Sequence, residues 1–224
     1  MPLRRSEQPR YRNREHAGEV LGGELAEELV GRASSSVVVL ALPRGGLPVA
    51  APLAARWSAP LGILVVGKVG APGQPELAMG AVALVLGRVE LVRNERVVRA
   101  LAISDDDFED AAQRLAGQLA QRALQLKSGP ETVSGRTVLV VDDGLATGST
   151  MLAAVTALRR LQPTEIVVAV PVGSAEAVAL VGRSADAVVC PWVPEPFVAV
   201  GYAYHDFTQV GDDEVDRLLS RPQC

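Results

Sequence analysis

Apolar residues along the chain fall into two alternating rhythms. Short unbroken runs at 37–42, 61–66, 138–141 and 165–172 read as strands buried on both faces. Between them apolar positions recur at helical spacing. Ala17, Val20, Leu21, Leu25 and Leu29 mark a helix over 14–30, and residues 47–57 a second. Phe108, Ala112, Leu115, Leu119, Ala123 and Leu126 mark a long one over 104–127, and Met151, Leu152, Val155, Leu158 and Leu161 a fourth. Residues 174–181 form a short helix capped by Ser174, and 187–190 a last strand. The alternation predicts an α/β fold: a twisted parallel sheet flanked by helices on both faces, in a single domain over 1–224.

Turn chemistry sets the boundaries. Gly31 suits a helix stop, Ser104 with Asp105, Asp106 and Asp107 suits a helix start, and Ser128, Gly129 and Pro130 break the long helix. Residues 81–86 and 89–92 read as a hairpin turning at Gly87 and Arg88. Pro72, Gly73, Pro75 and Gly80 leave 70–80 without a regular element, so a flexible loop is expected there. Residues 1–13, with Arg4, Arg5, Arg10 and Arg12 among prolines, are a loose tail or an arm over the body. Pro191, Pro194 and Pro196 exclude a helix at 191–197, and Trp192, Phe197, Tyr202, Tyr204 and Phe207 crowd this tail. Such crowding suits either a flat ring held between π faces or a segment docked by aromatic anchors.

Composition narrows the classes. A 224-residue chain that is 48% hydrophobic can bury one substantial core. A net charge of −4 and 4% aromatic content argue against nucleic-acid binding. Cys190 and Cys224 have no metal or disulfide spacing, and no apolar run approaches a membrane span. A cytoplasmic location with no membrane partner is the expectation.

The candidate chemistry centres on 137–150, TVLVVDDGLATGST. A buried strand runs into Asp142 and Asp143, and a loop of small residues (Gly144, Ala146, Thr147, Gly148, Ser149, Thr150) leads into a helix. Free amides and the positive helix end make such a loop an anion cradle. Gly148 admits backbone angles closed to other residues. Two acids beside a phosphate cradle call for hydroxyls or a hard divalent cation, and a phosphorylated sugar meets both demands. The plain alternative is a strand-to-helix turn with an acidic cap. Pro43, Arg44, Gly45 and Gly46 repeat the strand–turn–helix logic, as a second anion site or as a tight turn whose glycines supply positive φ. Lys68 follows a strand, where open α/β sheets bind ligands, and could neutralise a departing anion; the alternative is a solvated rim lysine. His16, beside Arg12 and Arg14 in YRNREHAG, reads as a surface histidine.

The 137–150 string resembles the PRPP-binding motif of type I phosphoribosyltransferases. With YRNREHAG, PRGGLPVA, VGKVGAPGQPELAMGAV and FVAVGYAYHDF the likeness touches nearly the whole chain, most weakly over 88–130. It implies the type I fold with a small C-terminal hood at 191–210 and a flexible lid at 70–80. It implies transfer of the 5-phosphoribosyl group of PRPP to a nitrogenous acceptor, a nucleobase by preference, with release of pyrophosphate in nucleotide salvage. Asp142 and Asp143 would bind the ribose hydroxyls directly or through Mg²⁺, and Ala146, Thr147, Gly148, Ser149 and Thr150 would cradle the 5-phosphate. Arg44, Gly45, Gly46 and Lys68 would serve pyrophosphate, and Phe197 and Asp206 the acceptor. Asp206 falls one residue later than in purine salvage enzymes, and EIVVAVPV lacks their base-reading lysine. A PRPP-sensing regulator and a transferase with a non-base acceptor are the alternatives, and the resemblance leaves room for a homodimer.

Overall fold

The computed structural model describes residues 10–29, 36–85, 87–124 and 132–220. The expected roles of Arg4 and Arg5, the Gly31 stop and the break at 128–130 lie outside those residues. Seven strands form one sheet in the order β4-β3-β2-β1-β5-β6-β7. They are β1 (Val37–Ala41), β2 (Leu61–Ala71), β3 (Gln74–Val85), β4 (Arg88–Arg93), β5 (Thr137–Val141), β6 (Glu165–Ala169) and β7 (Ala187–Val189). The helices are α1 (Arg14–Glu28), α2 (Gly46–Arg56), α3 (Glu95–Ala100), α4 (Asp105–Leu124), α5 (Ser149–Arg159), α6 (Ala175–Val181) and α7 (Asp212–Leu219).

The sheet is mostly parallel. β1 pairs with β2 and β5, β5 with β6, and β6 with β7, all parallel. The expected parallel sheet carries an antiparallel edge: β3–β4 is the hairpin expected at Gly87, and β2–β3 is antiparallel as well. The cause is the connection: a turn at Pro72 and Gly73, with Gly73 at φ 72°, is far too short for a crossover. The expected loop over 70–80 is therefore mostly strand. β2 runs on through Gly67, Lys68 and Val69 to Ala71, and β3 begins at Gln74. The hairpin at Gly87 forms as expected, with φ 74° and Val85 opposite Arg88.

Alternate residues of the parallel strands enter two cores. Val37, Val39, Ala41, Leu139 and Val141 face a layer built from α1, α2, α4 and α7. Val38, Leu40, Val138, Val140 and Ile166 face the layer of α5 and α6. Burial on both faces explains why these strands read as continuous apolar runs. Among the described residues no helix is long and apolar enough to cross a membrane.

Candidate active site

From β1 the chain builds outward to β4, then returns through α3 and α4 to place β5 on β1's other side. Strand order reverses between β1 and β5, and the crevice beyond their carboxyl ends is where open α/β sheets bind ligands. The acidic tip lies there. Val141 ends β5, and Asp142 and Asp143 follow it beside the Pro43–Gly46 turn that ends β1. The two turns touch. A Cβ on Gly45 would overlap Asp143 Oδ2, and one on Gly46 would stand 3.1 Å from Asp142 Cα. Gly45 has φ −59° and ψ −34°, ordinary helical angles, so close approach and not positive φ requires glycine there. The Pro43–Arg44 peptide is cis.

The loop after the acids is anchored at two points. Leu145 N–H donates to Val172 O and Ser174 Oγ to Ala146 O, which pins the loop to the start of α6. Ala146, Thr147, Ser149 and Thr150 are exposed around buried Gly148. Gly148 sits at φ 75° as the residue before α5, and Thr147 Oγ1 accepts from Ser149 N–H, the first amide of that helix, at 3.5 Å. The first-turn amides, which have no intrahelical acceptor, thus open onto a hydroxyl-bearing loop.

Residues 11–14 and 200–208 cover this edge. Tyr11 N–H donates to Ala203 O, His205 N–H to Tyr11 O and Asp206 N–H to Arg12 O, which joins the described part of the N-terminal arm to the C-terminal segment. Tyr204 Oη donates to Asp143 O at 2.6 Å. Gly144 leaves room for this cover, since a Cβ there would meet Val200 Cγ1. Arg14, the first residue of α1, donates from Nε to Asp143 Oδ2 at 2.8 Å and from Nη1 to Thr208 O at 2.8 Å. Its guanidinium lies 3.8 Å from the Phe207 ring centre. The Arg14 and Asp143 side chains are only 11% and 17% exposed, so solvent screens this pair little.

Burial pushes the Asp142 carboxyl well above the usual carboxylate range, and neighbouring Asp143 adds to the shift. Burial also raises Asp143, against the opposing hydrogen bond and charge of Arg14. The described residues contain no group of three or more acidic, histidine or cysteine side chains able to hold a metal ion. Two hard carboxylates nevertheless fit a Mg²⁺ that takes its remaining ligands from water and substrate oxygens.

The other expected residues are placed less centrally. Arg44 points its Nη2 to Asp212 Oδ1 of α7 at 2.7 Å. Lys68 is exposed on β2, five residues beyond Ile63, the residue level with the end of β1. It stands on a hairpin overhanging the parallel edge, with β2 continuing past it, which corrects its expected place at a strand end. Phe197 packs against the cluster of Tyr11, Ala17, Val172 and Tyr204, as a docked anchor does. Asp206 Oδ1 accepts from Thr208 N–H and Oγ, which lowers its pKa and closes a local turn. It lines a cavity of about 150 Å³ with Asn13, Glu15 and Glu214. His16 is structural: its N–H is capped by Asn13 Oδ1 and its Nδ1 accepts from Arg12 N–H.

Sequence reasoning missed Arg14 and the Tyr204 hydroxyl as parts of the site. A signal for Arg14 existed, because a cation in a helix's first turn opposes the macrodipole and needs compensation elsewhere.

Residues 13–204 match the family model described as phosphoribosyl transferase domain. Two proteins of Mycobacterium tuberculosis, strains CDC 1551 and H37Rv, provisionally named phosphoribosyl transferases, are each 41% identical over 202 residues. The match covers 89% of this chain and 45% of each relative, so the chain spans less than half their length. The crystal structure of TT1426 from Thermus thermophilus is 41% identical and superposes with a TM-score of 0.80, covering 94% of this chain and 97% of that one. A family match over residues 13–204, with relatives 41% identical over most of this sequence and a fold that superposes on one of them, makes the chain a member of the phosphoribosyl transferase family.

Proposed function

We propose that the protein transfers the 5-phosphoribosyl group of PRPP to a nitrogenous acceptor, releasing pyrophosphate. The observation that carries this reading is the junction of Gly45 with Asp143. It puts a glycine turn and an acid pair in one crevice, with the α5 cradle on the same β5 end. A sugar carrying anionic groups at both ends needs such a triad.

Asp142 and Asp143 would accept the pentose 2- and 3-hydroxyls, while Ala146 to Thr150 hold the 5-phosphate through main-chain amides and the Thr147, Ser149 and Thr150 hydroxyls. The Arg44–Gly46 turn would orient the pyrophosphate. Mg²⁺ held by the acid pair and substrate oxygens would supply charge neutralisation for the leaving group. The acceptor nitrogen's lone pair forms the bond to the anomeric carbon, and pyrophosphate departs with the electron pair of the breaking C–O bond. Positive charge spreads over the ring in the transition state, so the chain's work is positioning, leaving-group stabilisation and exclusion of water. The β2–β3 hairpin would act as the lid and bring Lys68 to the pyrophosphate. The segment 191–210 would act as the hood, with Phe197 and Asp206 on the acceptor side. Pyrophosphate release from PRPP, measured across a panel of nucleobases and small amines, tests this. Release that depends on one acceptor class supports transfer, whereas PRPP binding without release on any acceptor favours a sensor.

A further inference from the structure

Asp143 is held from three separate parts of the chain, its carboxylate from two of them and its main-chain oxygen from the third. Gly45 of the β1–α2 turn packs its Cα side against Oδ2, and Arg14 donates Nε to that same oxygen. Tyr204 holds the main-chain oxygen of the same residue. Arg14 is itself fixed at its far side, where Nη1 donates to Thr208 O and Cζ lies 3.8 Å from the Phe207 ring centre. Phe207 in turn stacks on Tyr204, with centroids 5.1 Å apart and planes at 27°. One arginine therefore bridges the acidic tip and the C-terminal cover. It engages Oδ2 and leaves Oδ1 for an incoming hydroxyl. It also offsets one of two adjacent carboxylate charges, so a single divalent ion faces less excess negative charge.

From this we infer that Arg14 is a positioning residue: it couples docking of residues 200–208 to the orientation of Asp143, so that pentose binding and closure of the cover reinforce each other. The inference rests on the phosphoribosyl-transfer reading. Coupling of this kind is reciprocal: a cover that steadies Asp143 raises affinity for the sugar, and the bound sugar must steady the cover equally. A merely structural ion pair would contribute to stability and carry no such link. Phe207 separates the two cases, since its contact with the acid pair runs through Arg14 and Tyr204.

The test compares wild type with Arg14→Lys, Arg14→Gln and Phe207→Leu, by PRPP titration with Mg²⁺ and by amide hydrogen exchange of 200–208 with and without PRPP. Wild type should bind PRPP and show slowed exchange at 200–208 on binding. Arg14→Lys keeps the charge but loses the planar fork, and with Arg14→Gln it should bind roughly ten- to hundred-fold more weakly and lose that slowing. Phe207→Leu, which leaves Arg14 and both acids in place, should shift both readouts in the same direction. If wild type binds PRPP and Arg14→Lys and Phe207→Leu bind it equally well with the same slowing, the coupling is overturned while the transferase reading stands. If wild type binds no PRPP, the transferase reading fails. The coupling, which rests on that reading, then falls with it.

Discussion

Gly45→Ala is the sharpest perturbation of the site, because it adds one methyl group and asks nothing new of the backbone. At φ −59° and ψ −34° alanine is comfortable, and reduced freedom of the unfolded chain would by itself stabilise the variant by about 0.4–1 kcal/mol. Against this, the new Cβ overlaps Asp143 Oδ2, the oxygen that Arg14 also holds. Overpacking of this kind costs about 1–3 kcal/mol. The net expectation is a loss of about 1–2 kcal/mol, and at roughly 2–4 °C per kcal/mol for a chain of this size Tm should fall by about 2–8 °C. Gly23→Ala is the matched control. Gly23 lies inside α1, where an added Cβ would meet nothing within 4 Å, so alanine there should raise Tm by about 1–4 °C through helix propensity. Thermal unfolding of both variants, with PRPP titration of each, reads the result. A Gly45→Ala protein as stable as wild type, with unchanged PRPP affinity, would refute the packed junction between the two turns.

Three further outcomes are expected. Gly148→Ala forces φ 75° on a residue with a side chain, at a cost of about 1–2 kcal/mol, and should lower both Tm and PRPP affinity; a neutral result would remove the strain from the cradle. Lys68→Ala, at an exposed position, should lower turnover and leave the melting curve in place; equal turnover would take Lys68 out of the reaction. Asp142 and Asp143 are both raised above their ordinary values, so the folded chain holds their protons more tightly than the unfolded chain does. Their contribution to stability is complete below the unfolded value of about 4 and is lost as pH rises through the folded values. Asp142→Asn should therefore flatten the pH dependence of Tm in that window and raise Tm at neutral pH while weakening PRPP binding. A slope identical to wild type would contradict the burial of that charge.

The parallel half of the fold was readable because β1, β5 and β6 are continuous apolar runs bounded by glycine, acid or proline. Ser174 announced its helix by cap chemistry, and its Oγ accepts from Ala177 N–H as expected. The β2–β3 hairpin was not readable, because Pro72 and Gly73 signal a break in pattern but not whether the chain returns as strand. Two short helices, Glu95–Ala100 and Asp212–Leu219, were also missed. The second holds its place through Val215, Leu218 and Leu219 in the core, contacts that exist only after folding. The position of Asp142 and Asp143 after β5, and of the small-residue loop before α5, was legible from local spacing. The Arg14–Asp143 pair spans 129 residues of sequence, and no local pattern encodes it. The docking of Phe197 likewise depends on how Tyr11 and Ala17 meet Tyr204 over the sheet edge.

The claim beneath all of these is that the crevice between β1 and β5 receives PRPP. Calorimetric titration of the folded protein with PRPP in the presence of Mg²⁺ addresses it directly. Saturable heat at one site per chain is expected, strongly reduced in Asp143→Asn; absence of heat from wild type, or full binding by Asp143→Asn, would contradict it.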